Sequence, residues 1–231
     1  MKSSAALAFL ALTTVTPSAA QQLPGLGPTA TRIEVDRAAQ PWRALGRVQT
    51  EFAERCTGFL VAPALVATAG HCFWLPKVAR YIRPHEIHFL LGEHLDAYIA
   101  HARAVRLDVP PAYNPTDEAA TARLDRAFLT LDHPVALPGG ILRIANAMPA
   151  PGTRLMLGGY GQDRQERILA DEDCHLLSIG AGLIRHDCAA TRGTSGAPLL
   201  AQIGGEWRVI GIQIEAELAG IGGFAVSVVP Q

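Results

Sequence analysis

An all-β fold, arranged as two small barrels, is predicted by three features of the chain. Short runs of β-branched and bulky apolar residues recur between turn residues, helix signals are sparse, and a Pro/Gly-rich stretch divides the chain in two. The runs are Leu45 to Val48, Gly58 to Val66, Ile87 to Leu91, Ala104 to Val109, Phe128 to Leu131, Leu155 to Gly159, Trp207 to Ile214 and Phe224 to Val229. Their spacing suits a sandwich or barrel better than alternating βα units, and barrel closure removes exposed strand edges.

From the N-terminus, Lys2 followed by the apolar stretch Ala5 to Leu12 and the small residues Ser18-Ala19-Ala20 reads as a secretory signal over residues 1–20, cut before Gln21. The apolar stretch is shorter than the roughly 20 residues that span a bilayer, so an uncleaved anchor is the weaker reading. Pro24, Gly25, Gly27 and Pro28 make residues 21–32 a pro-segment or linker with little regular structure. The strand runs then begin, forming an N-terminal barrel over 33–137. Within it, Thr116 to Leu124 fits one or two helical turns, with Thr116 as cap and Asp117 and Glu118 in the first turn. Residues 138–149, with Pro138-Gly139-Gly140 and Met148-Pro149, connect to a C-terminal barrel over 150–231. No internal sequence repeat is evident.

Composition narrows the function. With 231 residues, 49% hydrophobic and 18% charged, the chain can bury a full core. A net charge of -1 without a run of like charges leaves no electrostatic footprint for nucleic acid or an anionic membrane. After signal removal the expectation is a soluble monomer in the medium or periplasm, acting on a protein or peptide. The cysteines Cys56, Cys72, Cys174 and Cys188 would then sit where disulfides persist. Of the three possible connectivities, Cys56 with Cys72 and Cys174 with Cys188 are favoured, since each closes a short loop contributing about 3 kcal/mol. A zinc site is the lesser alternative, because no C-x2-C pair exists.

Two segments carry chemistry. Thr68-Ala69-Gly70-His71-Cys72 ends a strand-like run with a histidine held beside a cysteine, and Gly193-Thr194-Ser195-Gly196-Ala197-Pro198 puts a serine on a glycine-bracketed turn. A histidine can take the proton of a serine hydroxyl, and glycines with positive φ can turn the N–H groups of Gly193 and Ser195 toward an oxyanion. The other histidines, in polar or loop-like settings, read as surface or hydrogen-bonded residues. Asp125 is the candidate to orient His71, because it directly precedes the apolar run to Leu131 and can sit at a barrel rim. Asp132 lies at the far end of that run, and Asp108 and Asp117 lack such a continuation, so all three read as solvated acids.

Together, Cys56-Thr57-Gly58-Phe59-Leu60, Ala69-Gly70-His71-Cys72, Asp125 to Leu131 and Gly193 to Pro198 resemble the trypsin-like serine proteases, with the order His, Asp, Ser. Asp36-Arg37, Pro41 to Val48 and His186-Asp187-Cys188 resemble most the bacterial V8-like, glutamyl-endopeptidase-like branch. The likeness covers Ile33 to Val229. It implies two six-stranded antiparallel β-barrels with the active site in the cleft between them, and a serine endopeptidase using His71, Asp125 and Ser195 without metal or cofactor. An inactive binding module on the same fold is the alternative.

Some positions depart from the family pattern. Thr194 replaces the acid that pairs with a freed N-terminus in digestive trypsins, and Arg32-Ile33 resembles a processing point, yet Ile33-Glu34-Val35-Asp36 is not the usual I-V-G-G start, which leaves removal of a pro-segment open. By alignment to the serine turn, Ala189 would form the base of the primary pocket, beside Ala190 and Arg192. Gln213, followed by Ile214, stands where glutamate-specific members carry a histidine. These substitutions imply a preference for small or neutral P1 residues rather than Lys, Arg or Glu.

Overall fold

The computed structural model of the chain describes residues 23–28 and 31–230. The expected signal segment, residues 1–20, lies outside the described residues. Among those described, no helix is long and apolar enough to cross a membrane.

Six strands form the first barrel: β1 (Leu45–Thr50), β2 (Arg55–Ala62), β3 (Leu65–Thr68), β4 (Ile87–Leu91), β5 (Ala100–Asp108) and β6 (Ala127–Leu131). They close in the order β1-β2-β3-β6-β5-β4. The second barrel contains β7 (Arg154–Gly159), β8 (Leu169–Gly180), β9 (Leu183–His186), β10 (Pro198–Ile203), β11 (Glu206–Ala216) and β12 (Gly223–Ser227). Its order is β8-β7-β10-β11-β12-β9, and β9 pairs back onto β8 to close it. Numbered within each barrel, both rings read 2-1-4-5-6-3, so one topology occurs twice without a visible sequence repeat. The short strand Ile33–Glu34 adds to the outside of β8.

Period-2 patterning explains most strands. In β6, Ala127, Leu129 and Leu131 are buried while Phe128 and Thr130 are half-buried. Phe59, Leu60, Ile87, Phe89 and Leu129 are among the buried apolar residues of the first barrel, each contributing about 1.5–3 kcal/mol by leaving water. β1 departs from alternation, with Leu45, Gly46, Arg47 and Val48 all buried. Its Arg47 bridges toward the second barrel, pairing with Glu93 at 3.1 Å and donating to the Gln165 carbonyl at 3.2 Å. The Tyr160 hydroxyl of the second half donates to the Glu93 carbonyl at 3.1 Å. Burial pushes the Glu93 carboxyl above its ordinary pKa and Arg47 opposes the shift.

Several expectations need correction in detail. The run Gly58 to Val66 is two strands, because Pro63 and Ala64 make the turn between β2 and β3. The helix is Glu118–Thr121, continued as a 3-10 turn to Leu124, and its cap is Asp117, whose side chain accepts from the Ala120 N–H, rather than Thr116. Thr116 is spent on Asn114, to which its N–H and hydroxyl both donate. Three of the twelve barrel strands, β8, β9 and β10, fall outside the expected runs. Both disulfides form as expected, Cys56 with Cys72 and Cys174 with Cys188.

Candidate active site

Strand pairing brings the first two candidate residues together. β3 and β6 run antiparallel with Thr68 opposite Ala127, so the residues just after β3 and just before β6 meet at one rim. His71 starts a 3-10 turn there, and the Cys56–Cys72 bridge ties that turn back to β2. Asp125 follows the 3-10 turn Ala122–Leu124 and is 5% exposed. Its carboxylate holds His71 twice: Oδ1 accepts from the His71 backbone N–H at 2.9 Å, and Oδ2 lies 2.7 Å from Nδ1. Burial lowers the His71 pKa, but the hydrogen bond and charge of Asp125 outweigh it, so the net shift is upward. The competing acids are occupied elsewhere. Asp108 pairs with Arg106, Asp117 caps the short helix, and Asp132 accepts from the Arg103 N–H.

The serine turn is held from the other barrel by Thr57. Its N–H donates to the Ser195 carbonyl at 2.8 Å, its hydroxyl donates to the Gly193 carbonyl at 3.0 Å, and the same oxygen accepts from the Tyr160 N–H at 2.9 Å. Gly193 and Gly196 both have φ 86, and a Cβ on Gly196 would overlap the Thr57 carbonyl oxygen, so only glycine fits this close approach. The Arg192 carbonyl accepts from the Gln162 N–H at 2.7 Å, which in a trans peptide sends the Gly193 N–H the opposite way. Among the described residues, neither the Gly193 nor the Ser195 N–H has an acceptor. Replacing Thr57 with valine is expected to destabilise the fold by about 1–3 kcal/mol, because the Tyr160 N–H loses its acceptor. It should also lower kcat more than it raises KM, because the turn loses its tie to Gly193. Urea titration and steady-state kinetics measure the two effects.

His71, Gly193, Ser195, Arg192, Gln213 and Ile214 line one cavity of about 420 Å³, together with Glu54, Glu118 and Glu215. A larger depression of about 870 Å³, lined by Arg123, Arg126 and Pro230 among others, contains neither His71 nor Ser195. Ala189 and Ala190 are buried but do not line the smaller cavity. The Ala189 N–H donates to Asp171 at 2.9 Å, and the Ala190 N–H donates to the Gly25 carbonyl at 3.3 Å. Arg192 is exposed at the rim. Buried Gln213 turns its amide inward: Oε1 is 2.7 Å from His186 Nε2, and Nε2 donates to the Glu215 carbonyl at 2.9 Å. Because the Cys188 N–H donates to His186 Nδ1 at 3.2 Å, the His186 proton sits on Nε2 and goes to Gln213. Burial pushes the His186 pKa down to about 4, against the pull of Gln213, so this imidazole is neutral at pH 7.

Several contributors carried no local sequence signal. Thr57 is an ordinary strand threonine beside Cys56, and the Gln213–His186 pair joins two strands far apart in the chain. Tyr113, 5% exposed, lies near Asp125, and burial followed by the Asp125 charge raises its pKa. Cys56, His71 and Cys72 place potential metal-ligand atoms within 4.8 Å of one another, but both sulfurs belong to the disulfide and offer no thiolate.

Comparison with known proteins bears on the family and the fold. A family model described as a trypsin-like peptidase domain matches residues 56–212. A cercarial protease of Schistosoma mansoni is 31% identical over 151 residues, 60% of this chain and 55% of its own length. Transmembrane protease serine 5 of Homo sapiens is 26% identical over 218 residues, 81% of this chain and 47% of its own. The chain thus spans about half the length of these two relatives. Human cathepsin G is 29% identical over 191 residues, 70% of this chain and 69% of its own. A solved structure of a Glu endopeptidase in complex with MPD superposes with a TM-score of 0.76 at 17% identity, over 88% of this chain and 94% of that one, a likeness of fold. The family match includes Cys56, His71, Asp125 and Ser195 and covers more than half of the sequence, and the two barrels have the matching architecture, so this chain belongs to the trypsin-like peptidase family.

Proposed function

We propose that the chain is an exported serine endopeptidase that hydrolyses peptide bonds through an acyl-enzyme. The observation that carries this reading is the two-point hold of Asp125 on His71, in a cavity that Ser195 also lines. In the proposed mechanism the Ser195 hydroxyl attacks the scissile carbonyl carbon while His71 Nε2 takes its proton. The Gly193 and Ser195 N–H groups receive the oxyanion, and His71 then protonates the leaving amine. Water repeats the sequence to release the acid. Labelling by a serine-reactive fluorophosphonate tests the assignment: modification at Ser195 is expected, and a folded sample that stays unmodified would favour the binding-module reading.

The proposed P1 preference is for small or neutral side chains. Gln213 has spent both polar atoms internally, and His186 behind it is neutral, so neither supplies a cation for glutamate. Glu215 on the wall disfavours an acid, and Ala189, the base of the primary pocket by the family resemblance, supplies no carboxylate for Lys or Arg. Cleavage of a mixed peptide library is expected to show Ala, Ser, Val or similar residues at P1. Dominance of Glu, Asp, Lys or Arg there would refute the preference.

A further inference from the structure

The segment that the sequence marks as a linker occupies the wall of the active-site cavity. Pro24 lines that cavity with His71 and Ser195, and Gly25 is buried between the two chain segments that flank it. The Gly25 N–H donates to the Glu217 carbonyl at 2.7 Å, and its carbonyl accepts from the Ala190 N–H at 3.3 Å and from the Gly222 N–H at 3.2 Å. Single β-bridges join Gly25 and Leu26 to Ile221. Three backbone bonds therefore fasten one glycine across the gap between Ala190 and the residues 216–222. The fit excludes other residues, since φ is +75 and a Cβ would overlap the Ala190 carbonyl oxygen and stand 2.9 Å from the Ala216 Cβ. Further along, half-buried Arg32 pairs with Asp163 at 2.5 Å, so the chain is also held just C-terminal to the segment.

We propose that residues 23–28 are a built-in plug: the gap between Ala190 and Ala216 is a binding site for a glycine-centred peptide turn, and this chain supplies its own. The inference rests on the protease reading, in which Ala190 and the strand from Ile214 to Ala216 border the primary pocket. On that reading a substrate P1 side chain and Gly25 compete for the same space, and hydrolysis requires the plug to leave. The device does not depend on an acid at position 194, where this chain has threonine.

Two measurements on the full chain test the plug. Replacing Gly25 with valine leaves the His71, Asp125 and Ser195 geometry untouched but denies the segment its seat. It is expected to raise kcat/KM on an alanine anilide peptide at least tenfold, and added Leu-Pro-Gly-Leu-Gly peptide should inhibit the variant competitively. Unchanged or lower kcat/KM in a variant with wild-type thermal stability would overturn the plug alone. In the wild type, a peptidyl phosphonate with alanine at P1, once bonded to Ser195, should abolish hydrogen-exchange protection of the Gly25 amide. Retained protection in the modified protein would show that substrate and segment coexist, again overturning the plug whatever the variant does. If neither protein reacts at Ser195 with any phosphonate, the protease reading fails and the plug fails with it.

Discussion

Replacing Ser195 with alanine is expected to reduce kcat on a peptide anilide by about 10⁴- to 10⁶-fold without unfolding the protein. The turn around Ser195 is held through its backbone, by the Thr57 N–H on the Ser195 carbonyl, and its conformation is set by Gly193 and Gly196. None of these depends on the hydroxyl, so circular dichroism and thermal midpoint should match the wild type. What disappears is the nucleophile, and with it the covalent route. A residual rate of about 10³- to 10⁴-fold over water should survive, because substrate binding and the Gly193 and Ser195 N–H donors remain. His71→Ala should cost about as much, and the double variant little more than either single one, since nucleophile and base act as a unit. Near-wild-type turnover by Ser195→Ala, after active-site titration has excluded contaminating protease, would end the proposed mechanism.

The sequence reveals the two barrels and nominates the three candidate reactive residues for different reasons. Strands such as β6 are legible because one face is core and the other is not, which writes a period of two into five residues. β8 is not, although Ala170, Cys174 and Leu176 are buried in it. A β-bulge opposite Leu155 and Leu157 breaks the pairing register, and Asp171, Glu172 and Asp173 interrupt the alternation there. β10 begins at Pro198, directly after the serine turn, where proline reads as an end. His71, Asp125 and Ser195 stand out as candidates because each lies at the border of an apolar run or a glycine turn, where local pattern and chemistry point the same way. Thr57 and Gly25 act only through partners distant in the chain, and His186 reaches Gln213 the same way. A threonine that ties two barrels and a glycine that plugs a gap look, in sequence, like any strand threonine and any linker glycine.

The sharpest test of Asp125 is its replacement by asparagine, which alters charge and hydrogen-bond direction while keeping shape. Oδ1 accepts the His71 backbone N–H at 2.9 Å, and an asparagine oxygen can keep that bond. In that orientation its NH2 group faces His71 Nδ1, now 2.7 Å from a carboxylate oxygen, and can only donate to it. The ring must then carry its own proton on Nε2, the atom that should accept from Ser195. A kcat loss of about 10⁴-fold is therefore expected, the magnitude found when the acid is neutralised in this arrangement. The pH profile should move as well. In the wild type His71 must be deprotonated to act as base, and its pKa is raised, so kcat/KM should climb with pH through a midpoint above the ordinary histidine value of about 6.5. The asparagine removes the largest of the interactions that raise this pKa and leaves the burial that lowers it, so the acidic limb should shift downward while the plateau collapses. A loss of rate without that downward shift would mean that Asp125 serves the fold, and that some other group sets the protonation of His71.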